Sequence, residues 1–438
     1  RDRSVSRGLG DVYKRQGENN PDWEYHIERR TPLYTRKNDI RSEYERDYTR
    51  ILHSLAYRRL KHKTQVFFNI DNDHICTRME HVQHVESVSC TIAKYLGLNT
   101  DLTRAIAMGH DLGHAPFGHE GEVELTKIRK ELGMDAFWHE RNSLRIIEDI
   151  ELLEDNNKNY QNLNLTYAVR DGIISHCGEV DENGIMPRKE KIDLDTFETS
   201  GQYQAYTWEG CVVKIADKIA YLGRDIEDAI RMEFIEESDI KELMEISRLY
   251  KEKTINTTVI IHNFITSICE NSSPEAGIRL SDEHNAMLNA IKDFNYRTIY
   301  KNHKFNVYRN YAALIIRSIY DTLMESYDEK DGLNTIYNLM ARKKTYPNLI
   351  SNFVKHLLIY SETPSDIYTD VYLSLYPYAL SDVASKEELA NELTEKYKNR
   401  KIYGLLETKK IYAQAIIDYI SGMTDRYAIE IFNELIRY

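Results

Sequence analysis

Nine of the fifteen histidines fall between His53 and His139, and several stand beside glycines or carboxylates rather than alone on an apolar face. Neutral imidazoles mixed with carboxylates suit a borderline or hard divalent ion, and a mixed N/O set with open positions is what a hydrolytic centre needs. His110 and Asp111 are adjacent. Consecutive helical residues diverge by roughly 100°, so the pair shares one ion only if other elements bring further ligands. Two residues can do so. His81 lies near the start of a predicted helix, and Asp217 sits at the margin of an apolar stripe, where an unpaired carboxylate is unfavourable. Each alone has another meaning, a satisfied core histidine or a chance His-Asp dipeptide; the combination points to a metal centre on His81, His110, Asp111 and Asp217.

The elements that must position these residues are helical. Only 8 Pro and 19 Gly occur in 438 residues, and apolar residues recur at spacings of three and four, so an all-α fold is expected. Residues 41–60 are predicted as one charged amphipathic helix. Residues 78–96 put Val82, Val85, Val88, Ile92 and Leu96 on one stripe that stops at Gly97. Residues 102–108 form a short apolar helix running into HDLGHAPFGH, where Gly113, Pro116 and Gly118 break regular structure. A helix over 167–176 lies among Asn-rich and acidic loops. The next, over 211–232, buries Val212, Ile215, Ile219, Leu222, Ile226 and Ile230. On that last helix Asp217, Tyr221 and Asp225 recur every four residues and share a polar face. The expected organisation is a leader over 1–16, a core over 17–235 and an accessory helical region over 236–438.

Charge and cysteine usage narrow the class. With 58 basic against 70 acidic side chains the net charge is −12, which leaves no general basic field for nucleic acid or an acidic membrane. The five cysteines are scattered and never form C-x-x-C, which argues against a disulfide framework or structural zinc and fits a reducing cytoplasm. No apolar run approaches the ~18 residues a membrane span needs. Residues 1–16, RDRSVSRGLGDVYKRQ, show no sustained period and are expected to be a disordered leader or a sequence scar.

Several blocks in order, ERDYTRILHSLAYRRLKHKTQVF, TRMEH, HDLGHAPFGHEGE, FWHE and DKIAYLGRD, resemble the HD-domain deoxynucleoside triphosphate triphosphohydrolases, the dGTPase-like family. The resemblance is dense from Glu43 to Asp228 and weak beyond residue 235. It implies an HD-domain helical core and hydrolysis of a dNTP to deoxynucleoside and inorganic tripolyphosphate, by water attack at the α-phosphorus. It further implies one divalent ion (Mn, Mg, Fe or Zn) on the four ligands named above and a homo-oligomer. A regulatory nucleotide or single-stranded DNA is a possible partner.

His119 matches the family's catalytic histidine, and an imidazole is a side chain suited to protonating a leaving oxygen. Glu122 could hold it in its productive tautomer, the alternative being a first-turn helix carboxylate. His139 in FWHE matches a further active-site histidine, expected to touch phosphate. Arg78 and Lys218 flank metal ligands and could meet the triphosphate, or be solvated surface charges. By resemblance Tyr221 packs under the sugar and excludes a 2′-hydroxyl, while Asp225 and Gln65 bind the 3′-hydroxyl. His114 and His176 are possible site residues with no role fixed by spacing. His84 stands where the family carries Glu, and a buried, hydrogen-bonded imidazole is expected there. The run Arg58, Arg59, Lys61 and Lys63 is expected to be a solvated helix face. Other readings of the chain are a different HD phosphohydrolase, such as a 5′-nucleotidase or nucleotide phosphodiesterase, and a nucleotide sensor.

Overall fold

The computed structural model describes residues 15–33, 38–67, 74–155, 158–177, 183–250, 256–362, 365–376 and 401–437, with positions 385, 388, 389 and 391. Among these the fold is all-α, with one two-stranded antiparallel ladder pairing Leu153–Glu154 with Tyr160–Gln161. Two compact units are present, the first made of Arg1–His114, Trp138–Ile147 and Asn164–Arg309, the second of Ala115–Phe137, Glu148–Leu163 and Asn310–Tyr438. The expected division near residue 235 followed a change in sequence character, whereas these units follow packing.

In the first unit the Arg78–Leu96 helix packs against Thr100–Gly109 and Trp208–Arg231. Its start is fixed by a capping box: the Thr77 hydroxyl accepts from the Glu80 N–H, and the Glu80 carboxylate accepts from the Thr77 N–H. That places His81 in the opening turn. Val82, Val85, Val88, Ile92 and Leu96 are all buried, as the stripe predicts. On the Trp208–Arg231 helix the stripe holds from Val212 to Ile226, but Ile230 is 46% exposed, because the buried face in the last turn passes through Ala229 instead.

The expected single helix over 41–60 is two, Glu43–His53 and Leu55–Arg59. Ser54 turns extended (ψ 151°) and its hydroxyl caps the second helix by accepting from the Tyr57 N–H. Asp47, on the first of these helices, is fully buried, where it accepts from Arg29 at 2.6 Å and from the Thr166 N–H at 2.8 Å. It thereby ties this helix to the start of the Tyr167–Ser175 helix. That helix crosses Thr100–Gly109 closely enough that a Cβ at Gly172 would lie 2.5 Å from Ile106 Cδ1.

Two further expectations are corrected. Residues 1–14 lie outside the described residues, but Gln16 is not part of a free leader: it is 5% exposed, and its N–H donates to buried Glu209 at 3.2 Å. Lys63 is not solvated either. It is 2% exposed and its ammonium donates to the carbonyl of His114, whereas Arg58 and Lys61 are exposed as expected.

In the second unit the Gly118–Glu131 helix presents Glu124 and Glu131 to Arg317, with contacts of 2.8 and 2.7 Å. The Phe117 N–H donates to the Asp425 carboxylate at 2.9 Å. This anchors the segment that precedes His119 to the Asp425–Ile436 helix. The Pro347–Tyr360 helix packs against Gly332–Ala341, Lys409–Ser421 and Asp425–Ile436. No helix among the described residues is long and apolar enough to cross a membrane.

Candidate metal centre

His81, His110, Asp111 and Asp217 come together in the first unit. His81 Nε2 lies 2.9 Å from Asp217 Oδ1 and 3.8 Å from Asp111 Oδ2. His110 Nε2 lies 3.4 Å from Asp111 Oδ1 and 3.9 Å from Asp217 Oδ1. Ligand bonds of ~2.1 Å put neighbouring donor atoms roughly 3 Å apart, so His81, His110 and Asp217, whose donor atoms all lie within 4.8 Å of one another, suit one small divalent ion, with Asp111 beside them in a group with His110 and His176. His81, His110 and Asp111 are buried and the Asp217 side chain is 15% exposed.

The donor chemistry fits such an ion. His110 Nδ1 is 2.7 Å from the Ala107 carbonyl, which can only accept, so that nitrogen carries the proton and Nε2 carries the lone pair. Nε2 is buried and has no hydrogen-bond partner. An orphaned acceptor facing two carboxylates is unfavourable unless a cation satisfies it. Burial works against the charge on Asp217, but the hydrogen bond and charge of His81 outweigh it and hold the carboxyl below its usual range. Burial likewise lowers His81, and Asp217 more than compensates, leaving the imidazole raised above its ordinary value of 6.5. For Asp111, His110, His114 and Arg78 together outweigh burial and hold the carboxyl well below the ordinary range.

The His110–His114 turn is gripped from several sides. Gly113 N–H donates to Ser143 Oγ at 2.8 Å, Ser143 Oγ donates to the His110 carbonyl at 2.9 Å, and Asn142 donates to the Gly113 carbonyl at 2.7 Å. A Cβ at position 113 would lie 2.1 Å from the His139 carbonyl oxygen. Only glycine allows the His139–Arg145 helix this close to the HDLGH turn.

The remaining expected site residues fall as follows. Arg78 is 2% exposed and pairs with Asp111 at 2.8 Å, so it is not a surface charge. His114 Nε2 sits 3.0 Å from Asp111 Oδ1, while its ring stacks on His139 at 3.7 Å. His176 is 1% exposed and 4.9 Å, ring to ring, from His110. Burial, then the neighbouring His110, lowers it to about 4. The Asp217, Tyr221, Asp225 row is present on the Trp208–Arg231 helix, with Tyr221 and Lys218 half-buried and Asp225 buried. Asp225 accepts from the Tyr300 hydroxyl. Burial pushes it up to about 7 against that hydrogen bond. Gln65 is half-buried and its N–H donates to the Cys76 carbonyl. His119 and Glu122 stand together in the second unit, with His119 Nδ1 3.5 Å from Glu122 Oε2 and the His119 side chain 72% exposed.

His84 departs from expectation. It is half-buried, its Nδ1 has no hydrogen-bond partner, and burial followed by Arg224 lowers its pKa. Sequence reasoning missed Ser143, Asn142, Lys63 and Tyr300. The first two sit three and four residues beyond His139, a proximity that pointed to them. Tyr300 lies in a π-helical turn 75 residues past its partner, and no local signal marks it.

A helical core that gathers a histidine, a His-Asp pair and a distant aspartate defines an HD-type centre, and a model of the HD domain matches residues 78–222. The chain is a metal-dependent phosphohydrolase of that class. It belongs to the HD-domain dGTPase-like family. A protein of Caldanaerobacter subterraneus subsp. tengcongensis named deoxyguanosinetriphosphate triphosphohydrolase-like is 36% identical over 67% of this chain and 75% of its own length. Proteins with the same name from Clostridium tetani (30% identical, 91% of this chain, 87% of theirs) and Pelagibacter ubique (31%, 89% and 92%) match over most of both chains. A phosphohydrolase-associated domain model matches residues 375–434, a stretch where the sequence alone suggested only accessory helices.

Proposed function

We propose that the protein hydrolyses deoxynucleoside triphosphates, dGTP among them, to the deoxynucleoside and inorganic tripolyphosphate. The observation that carries this reading is the polar row on the Trp208–Arg231 helix. One face holds Asp217 at the candidate metal centre and, two turns on, the buried Asp225 with its Tyr300 partner. A site of that length suits phosphate at one end and a sugar at the other, and Tyr221 between them is the side chain suited to pack on a deoxyribose and oppose a 2′-hydroxyl. The relatives' printed name agrees with this substrate class.

His81, His110, Asp111 and Asp217 would hold a divalent ion (Mn, Mg, Fe or Zn), which would supply Lewis-acid polarisation of the phosphate and a more acidic water. Arg78 and His114 hold the Asp111 carboxylate in place, and Lys218 with His139 offers cationic and N–H partners for the triphosphate. His119 protonates the departing 5′-oxygen through its imidazole, and Glu122 at 3.5 Å fixes the tautomer that can do so. Gln65 and Asp225 bind the 3′-hydroxyl. The protein works in the cytoplasm as a homo-oligomer, open to regulation by a nucleotide or single-stranded DNA.

The test is to incubate metal-loaded protein with each dNTP and NTP and separate the products by chromatography. Deoxynucleoside with tripolyphosphate is expected, with ribonucleotides turned over poorly. Orthophosphate or a linear dinucleotide would instead favour another HD phosphohydrolase, and no turnover a nucleotide sensor.

A further inference from the structure

Beside the quartet of ligands lies a second cluster of donors with different chemistry. His139, His176 and Cys177 each offer one ligand atom, and these atoms all lie within 4.8 Å of one another, the same tolerance that His81, His110 and Asp217 meet. We propose that His139, His176 and Cys177 form a second cation site, selective for a thiophilic divalent ion such as zinc or ferrous iron.

The availability of each donor follows from its surroundings. His176 Nδ1 is 2.7 Å from the carbonyl oxygen of Ile173, so that nitrogen carries the proton and Nε2 is left with the lone pair. With a single free nitrogen His176 can join only one ion. A ring nitrogen of His176 also lies within 4.8 Å of donor atoms of His110 and Asp111, so His176 stands between the two centres, and the quartet's four donors allow it to serve this cluster. Its ring is 5.5 Å from that of His139. His139 opens the His139–Arg145 helix and is clamped between its stacking partner His114 and the backbone around Gly113. Cys177 follows His176 immediately, and its sulfur lies within 4.8 Å of a ring nitrogen of each histidine. Cys177 is half-buried and both histidines are buried.

Donor type sets the selectivity. Two imidazoles and a thiolate suit zinc, ferrous iron or cobalt, and discriminate against magnesium, calcium and manganese, which take oxygen ligands. The neighbouring N/O quartet accepts the harder ions as well. The chain thus carries adjacent sites of unequal softness. Among the described residues no other group of candidate ligands includes a cysteine. Three protein ligands leave a fourth position open, the pattern of reactive rather than structural zinc. Uptake is a proton-for-metal exchange: the Sγ–metal bond forms as the thiol proton leaves to solvent, with no change of oxidation state. This site does not rest on the substrate proposed above.

The test uses the full chain loaded with cobalt(II) and separately with zinc. The wild type is expected to hold two ions per chain and to show thiolate-to-cobalt charge-transfer absorption in the near ultraviolet. Cys177→Ser should lose that absorption and one equivalent of zinc while keeping its helical circular dichroism. Asp217→Ala should keep the absorption and lose the other equivalent, and Cys76→Ser should change neither. A wild type without the absorption, or absorption that survives Cys177→Ser, overturns the proposal. If Cys177→Ser does not fold, alkylation of the wild type decides. Zinc should slow modification mapped to Cys177 at least tenfold, and an unchanged rate overturns the site. Either failure leaves the dNTP reading standing, because that is judged on products.

Discussion

Ser143 is neither a ligand nor a surface residue, yet its hydroxyl joins the two halves of the turn that carries His110 and Asp111. It accepts from Gly113 N–H at 2.8 Å and donates to the His110 carbonyl at 2.9 Å, and it is fully buried. Ser143→Ala removes both bonds and strands a buried donor and a buried acceptor. Each orphaned group costs ~1–3 kcal/mol, less whatever the turn recovers by relaxing, so a net loss of about 2–4 kcal/mol is expected. The same relaxation shifts the backbone under two metal ligands, and loss of such a supporting contact typically weakens metal binding ~10–100-fold. Urea denaturation of the metal-free protein reads the first effect, and calorimetric titration with manganese or zinc reads the second. Both should move together. A variant within 0.5 kcal/mol of wild type on the order-of-magnitude scale of neutral surface changes, with unchanged metal affinity, would refute the idea that the helix starting at His139 holds the turn.

Other variants separate the parts of the site. Asp217→Ala should abolish metal retention at the quartet, measured by elemental analysis after dialysis. His119→Ala should keep metal and dNTP binding but lose turnover, by ~100-fold or more for a general acid; equal activity would remove His119 from the mechanism. Metal affinity of the quartet should fall as pH drops, because Asp217 holds His81 raised above 6.5 and the proton must leave before the imidazole can bind an ion; titrations at pH 8 and at about pH 6 check the sign. Glu209, buried with Gln16 and Asn99 N–H groups on one oxygen, is pushed up to about 7 by burial. Its folded state binds the proton more tightly than the unfolded state. The resulting stability is complete below about pH 4.5 and lost as pH rises through about 7, about 3 kcal/mol in all. Glu209→Gln should flatten that part of the Tm against pH profile, and an unchanged slope would assign it to other groups.

How much of this could be read from residues alone depended on whether the signal was local. The Arg78–Leu96 helix was legible because its cap, its stripe and its Gly97 stop all lie within the segment. The grouping of His81, His110, Asp111 and Asp217 was legible for a different reason. Each residue alone has an ordinary meaning, and it was their combination, in the order of blocks that resembles the HD-domain family, that singled them out. The break at Ser54 was missed because a serine inside a helical pattern can cap as readily as continue, and only packing decides. Sequence makes Lys63 a solvated charge, because no local pattern reports that a carbonyl 51 residues away, that of His114, stands within reach. Arg78 was read as a partner for substrate or solvent, and the structure pairs it with Asp111. The burial of Gln16 against Glu209 has the same origin, a contact across 193 residues that composition cannot disclose.

The position at which water enters the nucleotide distinguishes this hydrolysis from the alternatives most directly. Turnover of dGTP in isotopically labelled water, followed by mass spectrometry of both products, reads it in one measurement. Heavy oxygen should appear on the tripolyphosphate, in its former α-phosphoryl group, with the deoxynucleoside unlabelled. Label in orthophosphate would mean that attack falls on another phosphorus, and label in a nucleoside monophosphate that pyrophosphate rather than the 5′-oxygen leaves the α-phosphorus; either would mean that these residues serve a different hydrolysis.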